Sequence, residues 1–225
     1  MRESGNEIVE PFVMAAKRPV TARGERTRRA LVAAARRLFE ANGYVATNIG
    51  DISAEALVSH GTFYTYFTSK EEVFAEVVSD LIADFQRIAH DEPAVDRGAA
   101  LWERIERSNR GYLRAYEANA RMMAVLEQVA TFNPRLAKTR RQARRYWVDR
   151  SAKAIVGWQQ QGLVDRHIDP VYAASMLGSM VDRSSYLWVV VGEHYEFGSA
   201  VEQLTRLYCG ALGLQYGRAS AQRAS

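Results

Sequence analysis

Between Asn48 and Glu72 the chain carries three helix-opening signals in close order, so this stretch can fold only into short helices. Asn48 is a cap residue with Asp51 three positions on, in the manner of a capping box, and Ile49, Ile52 and Ala56 repeat behind it at helical spacing. Ser59 is a second cap. Ser69 with Glu72 is a Ser-x-x-Glu box opening a longer run through Val73, Val77, Leu81 and Phe85 to about Ala89. Two short helices separated by a one-turn break make a helix-turn-helix layout.

The pattern on either side is also helical. From about Thr21 to Asn42, Leu31, Ala34, Ala35, Leu38 and Phe39 form one apolar stripe, with Arg28, Arg29, Arg36 and Arg37 largely off it. Gly43 then supplies a helix stop. After the "HDEP" break at 90–93, helices are expected near 96–117 and 119–131. Asn133-Pro134 opens another to about Gln161, where Gly162 ends it, and Asp169-Pro170 opens one to about Val191. Ser199 with Glu202 opens the last, to about Leu214. No strand alternation competes and no internal repeat appears. The expected fold is all-α with about nine helices: a helix-turn-helix head at 21–68 and a larger helical body at 69–217. Residues 1–20 read as a flexible arm, and 218–225 as a disordered tail.

Composition narrows the class. A chain of 225 residues, 48% hydrophobic and 25% charged, is long enough for a sizeable core and has ordinary globular proportions. The single cysteine, Cys209, excludes an internal disulfide framework and reads as a small buried apolar residue in a reducing compartment. Residues 1–16 are broken by Pro11 and lack a continuous apolar core, so no secretory signal is expected. The most apolar helix candidate, 170–192, carries Asp182 and Arg183 near its middle, so no membrane partner is expected and the location reads as cytoplasmic. Net charge is only +4, but eight bases stand against Glu25 between Lys17 and Arg37. Eight more stand against Asp149 between Arg135 and Lys153. A basic block at a helix start attracts a phosphate backbone. Charge runs on long helices also make solvated faces, so neither block decides alone.

The stretch "SHGTFYTYFTSKEE" crowds Phe63, Tyr64, Tyr66 and Phe67 into five positions. A helix from His60 to Phe67 is about 10 Å long, short enough to lie in a DNA major groove. Phe63 and Phe67, four apart, share a face and can anchor it against the first helix. His60, Thr62, Thr65 and Tyr66 then project largely elsewhere, and Gly61 leaves the first turn bare. Tyr64 and Tyr66 can each donate a hydroxyl hydrogen to a phosphate, with the Lys70 charge beside them. The competing reading, that all four rings are core, is outweighed by the caps, the basic first helix and Lys70.

Over about 27–78, "TRRALVAAARRLFEANGYVATNIGDISAEALVSHGTFYTYFTSKEEVFAEVV", the chain resembles the TetR/AcrR family of bacterial transcriptional regulators. The Leu38-Phe39-x-x-x-Gly43-Tyr44 run, Ile52-Ser53, Val58-Ser59, Gly61-Thr62-Phe63-Tyr64, Tyr66-Phe67 and Ser69-Lys70-Glu71 all fall at that family's spacings. The resemblance implies a ligand-responsive regulator at the bacterial nucleoid: a repressor that binds a palindromic double-stranded operator as a homodimer. A small lipophilic effector would release it, and no cofactor is implied. It further implies that Asn48, Tyr64, Tyr66 and Lys70 contact phosphates and that His60, Gly61, Thr62 and Thr65 sit at the bases. Arg23 and Arg26 are implied at the backbone or the neighbouring minor groove. Two residues depart from the pattern. Leu57 stands at a turn where the family usually has glycine, at a cost of roughly 1 kcal/mol if it is left-handed. Gly50 lies inside the second helix and weakens it by about 1 kcal/mol relative to alanine.

One short helix makes too few base contacts to select a single genomic site, so a twofold dimer on half-sites about 34 Å apart, or a multiple of that, is expected. Helix 170–191 is apolar on more than one side, and the last helix adds more apolar residues. Leu177, Val181 and Trp188 on the former, with Leu204, Tyr208 and Leu212 on the latter, are the expected interface. For the effector, helix 96–117 offers Trp102, Asn109, Tyr112 and Leu113. Trp147 follows on the long helix, and Met176, Met180 and Asp182 on the next. Plain core is the competing reading for each. Arg140, Arg144 and Arg150 can receive an anionic ligand if they face inward and form a solvated face otherwise.

Two other classes stay open. A helical enzyme finds little support, because His60, His90, His167 and His194 show no paired metal-ligand spacing. Nor does a Glu-x-x-His, Gly-x-Ser-x-Gly or Gly-x-Gly-x-x-Gly motif appear. No metal or catalytic residue is assigned. A sequence-indifferent architectural DNA protein would bind random DNA as strongly as a palindrome.

Overall fold

A computed structural model describes residues 21–91 and 99–217. The arm at 1–20, the tail at 218–225 and much of the "HDEP" break lie outside the described residues. Within them the chain is all-α with no strand. The helices are α1 (Ala22–Ala46), α2 (Ile49–Glu55), α3 (His60–Tyr66), α4 (Lys70–Asp91), α5 (Leu101–Ala118), α6 (Ala120–Phe132), α7 (Pro134–Gln160), α8 (Pro170–Tyr186) and α9 (Phe197–Ala211). No described helix is long and apolar enough to cross a membrane.

The chain forms two compact units. The first holds residues through Asp84 together with Ala124–Thr139. Thr21 opens α1 by accepting from the Gly24 N–H, and Asn48 and Asp51 exchange both bonds of a capping box at α2. Ser59 caps α3 through the Thr62 N–H. At α4 the Ser69 hydroxyl accepts from the Glu72 N–H, but the Glu72 carboxylate reaches back to Thr68 rather than to Ser69. Gly43, at φ +78°, breaks α1 where the sequence places its stop, and one more turn follows to Ala46. Leu57 holds φ +56° and is 92% exposed, so the α2–α3 turn keeps a left-handed residue and bears the strain of a Cβ there. At Gly50 a Cβ would lie 3.1 Å from Asn48 Oδ1, so the glycine leaves room for the α2 cap.

This unit extends past residue 68 for physical reasons. Phe39, Tyr44 and Phe74 pack ring against ring at 4.9 to 5.5 Å, joining the start of α4 to the end of α1. The buried Arg28 guanidinium grips Glu76 with two bonds, at 2.6 and 2.8 Å, and Arg36 reaches Asp84 at 2.9 Å. Glu76 and Asp84 thus tie α4 to α1 at two levels. Two of the arginines counted in the basic block are thereby paired with acids of this same unit.

The second unit holds Phe85–Met123 and Arg140 onward. The helix α5 packs along α9, with Leu113, Ala200 and Val201 buried against Trp188, Val189, Tyr195 and Phe197. A second cluster gathers Ala152, Ile155, Val164, Ala174, Leu177 and Leu212. Asp169 caps α8 as expected, accepting from the Val171 and Tyr172 N–H groups. The end of α8 widens into a π-helical turn, Leu187–Val191, that stops at Gly192 with φ +88°. Helix α9 starts at Phe197 with Glu196 as its cap, not at the Ser199–Glu202 box. Glu202 instead pairs with Arg206 one turn on.

Of the expected dimer residues, Leu177, Val181, Leu204 and Leu212 are buried within the single chain. Tyr208 is half-buried against the Leu177 cluster, and Trp188 stacks on Tyr195 at 5.4 Å. The apolar residues that α8 and α9 leave exposed are Val171, Tyr172, Met176 and Leu207.

Candidate nucleic-acid interface

Two buried rings hold α3 in place. Phe63 is 0% and Phe67 1% exposed, and the Arg28 guanidinium lies 5.2 Å over the Phe67 ring. The other aromatics turn outward. Tyr64 is 50% exposed and meets His60 edge-on at 5.3 Å, while Tyr66 is partly exposed. Neither tyrosine hydroxyl is bonded to the chain among the described residues. His60, Gly61 and Thr65 are exposed on the same short helix. The Thr62 hydroxyl shares a hydrogen with the Ser59 hydroxyl at 2.8 Å, so it belongs to the cap as well as to the surface.

Gly61 is informative. A Cβ there would meet nothing within 4 Å, and its φ is not left-handed. The fold therefore does not require glycine at this position; an external surface in close approach would. Asn48 is exposed with its carbonyl oxygen taken by the Asp51 N–H, which leaves its amide hydrogens for a partner. Arg23 and Arg26 are exposed and paired with no acid among the described residues.

Lys70, expected at a phosphate, has partners within the chain. Its ammonium donates to the carbonyls of Thr47 at 2.8 Å, Tyr44 at 2.9 Å and Val45 at 3.4 Å, and lies 4.5 Å over the Tyr44 ring. The ammonium thus lies among the Tyr44 and Val45 carbonyls at the end of α1 and the Thr47 carbonyl just past it. Local sequence could not show this, because the acceptors lie some twenty residues upstream. The Arg28–Glu76 clamp beneath α3 was missed for the same reason.

The expected effector residues do not form one group. Tyr112 and Asp182 meet, phenol to carboxylate at 2.7 Å, and burial with the neighbouring Asp182 charge holds the Tyr112 phenol well above its ordinary pKa. Asn109 instead donates to Thr205 at 3.2 Å as a buried tie between α5 and α9, and Leu113 belongs to that same seam. Trp102 packs on Tyr216, Trp147 on Tyr146, and Met180 against the Leu177 cluster. Met176 is 67% exposed. Among the described residues no three His, Cys, Asp or Glu side chains converge as a metal site would need.

A family profile described as bacterial regulatory proteins, tetR family, matches residues 31–77, the span from mid-α1 into α4. Over this segment the chain is similar to the tetR family of bacterial regulatory proteins. Its TetR-type head is 34% identical over 67 residues to the HTH-type transcriptional repressor Rv3405c of Mycobacterium tuberculosis. The HTH-type transcriptional regulator Mb3439c of Mycobacterium bovis matches equally. Those matches cover 30% of this chain and 36% of each relative, so the chain spans about a third of the length of the curated relatives it matches. The fold as a whole is shared more widely. The fatty acid degradation regulator FadR of Bacillus halodurans superposes with a TM-score of 0.68 at 19% identity, covering 84% of this chain and 97% of that one. A TetR-like transcriptional regulator from Rhodococcus sp. RHA1 gives 0.64 at 22% identity over 83% and 96%. Salmonella enterica GusR gives 0.65 at 20% over 86% and 98%.

Proposed function

We propose that this chain is a TetR-family transcriptional repressor that binds an inverted-repeat operator as a homodimer and leaves it when a small apolar-bodied effector binds. The observation that carries the DNA reading is the division of α3: Phe63 and Phe67 are buried while His60, Gly61, Tyr64 and Thr65 stand exposed on the opposite side. A helix of this length suits a major groove, with Tyr64, Tyr66 and Asn48 as donors to phosphate and His60, Gly61, Thr62 and Thr65 at base edges. Arg23 and Arg26 would add backbone contacts beside it. Dimer formation draws on Tyr172 and Met176 of α8 and on Leu207 of α9, which are large apolar side chains left in water. The name of the mycobacterial relative supports repression.

The test is selection of duplexes from a random pool by the purified full-length chain. An enriched inverted repeat, protected as two half-sites about one or two helical turns apart, is the expected result. Protection that does not depend on sequence would favour an architectural protein instead.

A further inference from the structure

In the second unit, the seam between α7 and α8 holds a half-buried cation, Arg144, that DNA binding does not use. Arg140 and Arg144 lie one turn apart on α7; Ser175, Ser179 and Asp182 lie on successive turns of α8. The Arg144 Nη2 donates to the Ser175 carbonyl at 3.1 Å, the Ser175 hydroxyl at 3.0 Å and the Ser179 hydroxyl at 2.7 Å. No carboxylate reaches Arg144 among the described residues, so a half-buried guanidinium rests on neutral oxygens alone. Asp182 is the sole acid of α8, and it is already shared. It accepts from Tyr112 at 2.7 Å and lies 3.7 Å from Arg140. Arg144 therefore has no share in that carboxylate.

A cation partly withdrawn from water favours a counter-charge at that place. The geometry also supplies donors to receive one. Among the described residues the Arg144 Nε and Nη1 groups have no partner, and the Ser175 hydroxyl, which accepts from Arg144, keeps its own hydrogen to give. The seam borders aromatic surface, because the Tyr112 ring packs against Phe85 at 5.6 Å and Tyr116 at 6.0 Å.

We infer that the α7–α8 seam binds an oxyanion, a carboxylate or phosphate monoester carried on an apolar body, with Arg144 and Ser175 as its ligands. Asp182 competes with it for Arg140. This deepens the proposed function by naming the effector's chemical class, but the binding step itself does not depend on DNA.

The test is a titration of the DNA-free full chain, followed by tryptophan fluorescence because Trp147 lies one turn beyond Arg144. The probes are decanoate, decyl phosphate and decanol, each below its micelle concentration. At least one anion should bind about tenfold or more tightly than decanol, as a charge-assisted bond requires. The tighter of the two anions names the head group. Arg144→Gln should abolish that preference, Ser175→Ala should reduce it, and Asp182→Asn should strengthen it. If Arg144→Gln does not fold, the other two variants carry the test. Equal affinity for decanol and both anions, or a preference untouched by these substitutions, overturns the inference. Loss of operator binding by the wild type would instead count against the repressor reading and leave this titration unaffected.

Discussion

Lys70, at the first position of α4, donates to the carbonyl of Thr47 at 2.8 Å, and Thr47 immediately precedes the Asn48 that caps α2. The start of α4 thus fixes the place where the helix-turn-helix begins. Lys70→Met removes three bonds to an α1 terminus and should destabilise the head by about 1–3 kcal/mol, read as a lower urea midpoint. The slope of log K against log salt for DNA should stay nearly unchanged. A slope smaller by about one unit with unaltered stability would restore Lys70 to the phosphate.

Gly61→Ala separates the needs of fold and function. The new Cβ meets nothing in the chain, and alanine is the better helix former, so stability should hold or rise by up to about 1 kcal/mol. Affinity for the selected duplex should fall at least several-fold. Thermal melting and a mobility-shift titration on one preparation show whether the two move in opposite directions.

The Glu71 carboxyl is held below the ordinary carboxylate range, chiefly by its own backbone N–H at the first turn of α4 and further by the Ser69 hydroxyl. A carboxyl whose folded pKa is depressed lends stability that is fully present above its unfolded pKa of about 4.3. That stability is lost as pH falls through the lower folded value. Urea midpoints from about pH 5 to pH 3 should therefore fall more steeply for the wild type than for Glu71→Gln.

Met176→Glu and Leu207→Glu alter side chains in water and should yield a folded monomer by sedimentation velocity. Leu177→Glu places a charge in a closed core and should unfold the chain. A dimer that survives both surface substitutions would move the interface away from α8 and α9.

The contrast between Met176 and Leu177 also shows how far sequence reaches. The caps Asn48, Ser59 and Asp169 were legible because each bonds within three residues of itself. The inward and outward aromatics of α3 were legible because Phe63 and Phe67 are spaced one turn apart. On α8, apolar residues on several sides leave no way to tell from sequence which neighbours cover them, so the burial of Leu177 and the exposure of Met176 are not legible there. Lys70 and Arg28 read as free charges because their acceptors, the α1 carbonyls and Glu76, are brought to them only by tertiary structure. The cap of α9 was misplaced because Ser199 and Glu202 formed a rival box beside Glu196.

The most direct test compares affinity for the selected duplex with affinity for a scrambled one, in the wild type and in His60→Ala and Thr65→Ala, at a fixed salt concentration. The wild type should prefer its site by about a thousandfold or more. Each substitution should erase about 1–3 kcal/mol of that preference while leaving the scrambled-duplex affinity and the melting temperature as they were. Equal wild-type affinity for the two duplexes, or a preference that both variants retain in full, would contradict the placement of α3 in the groove.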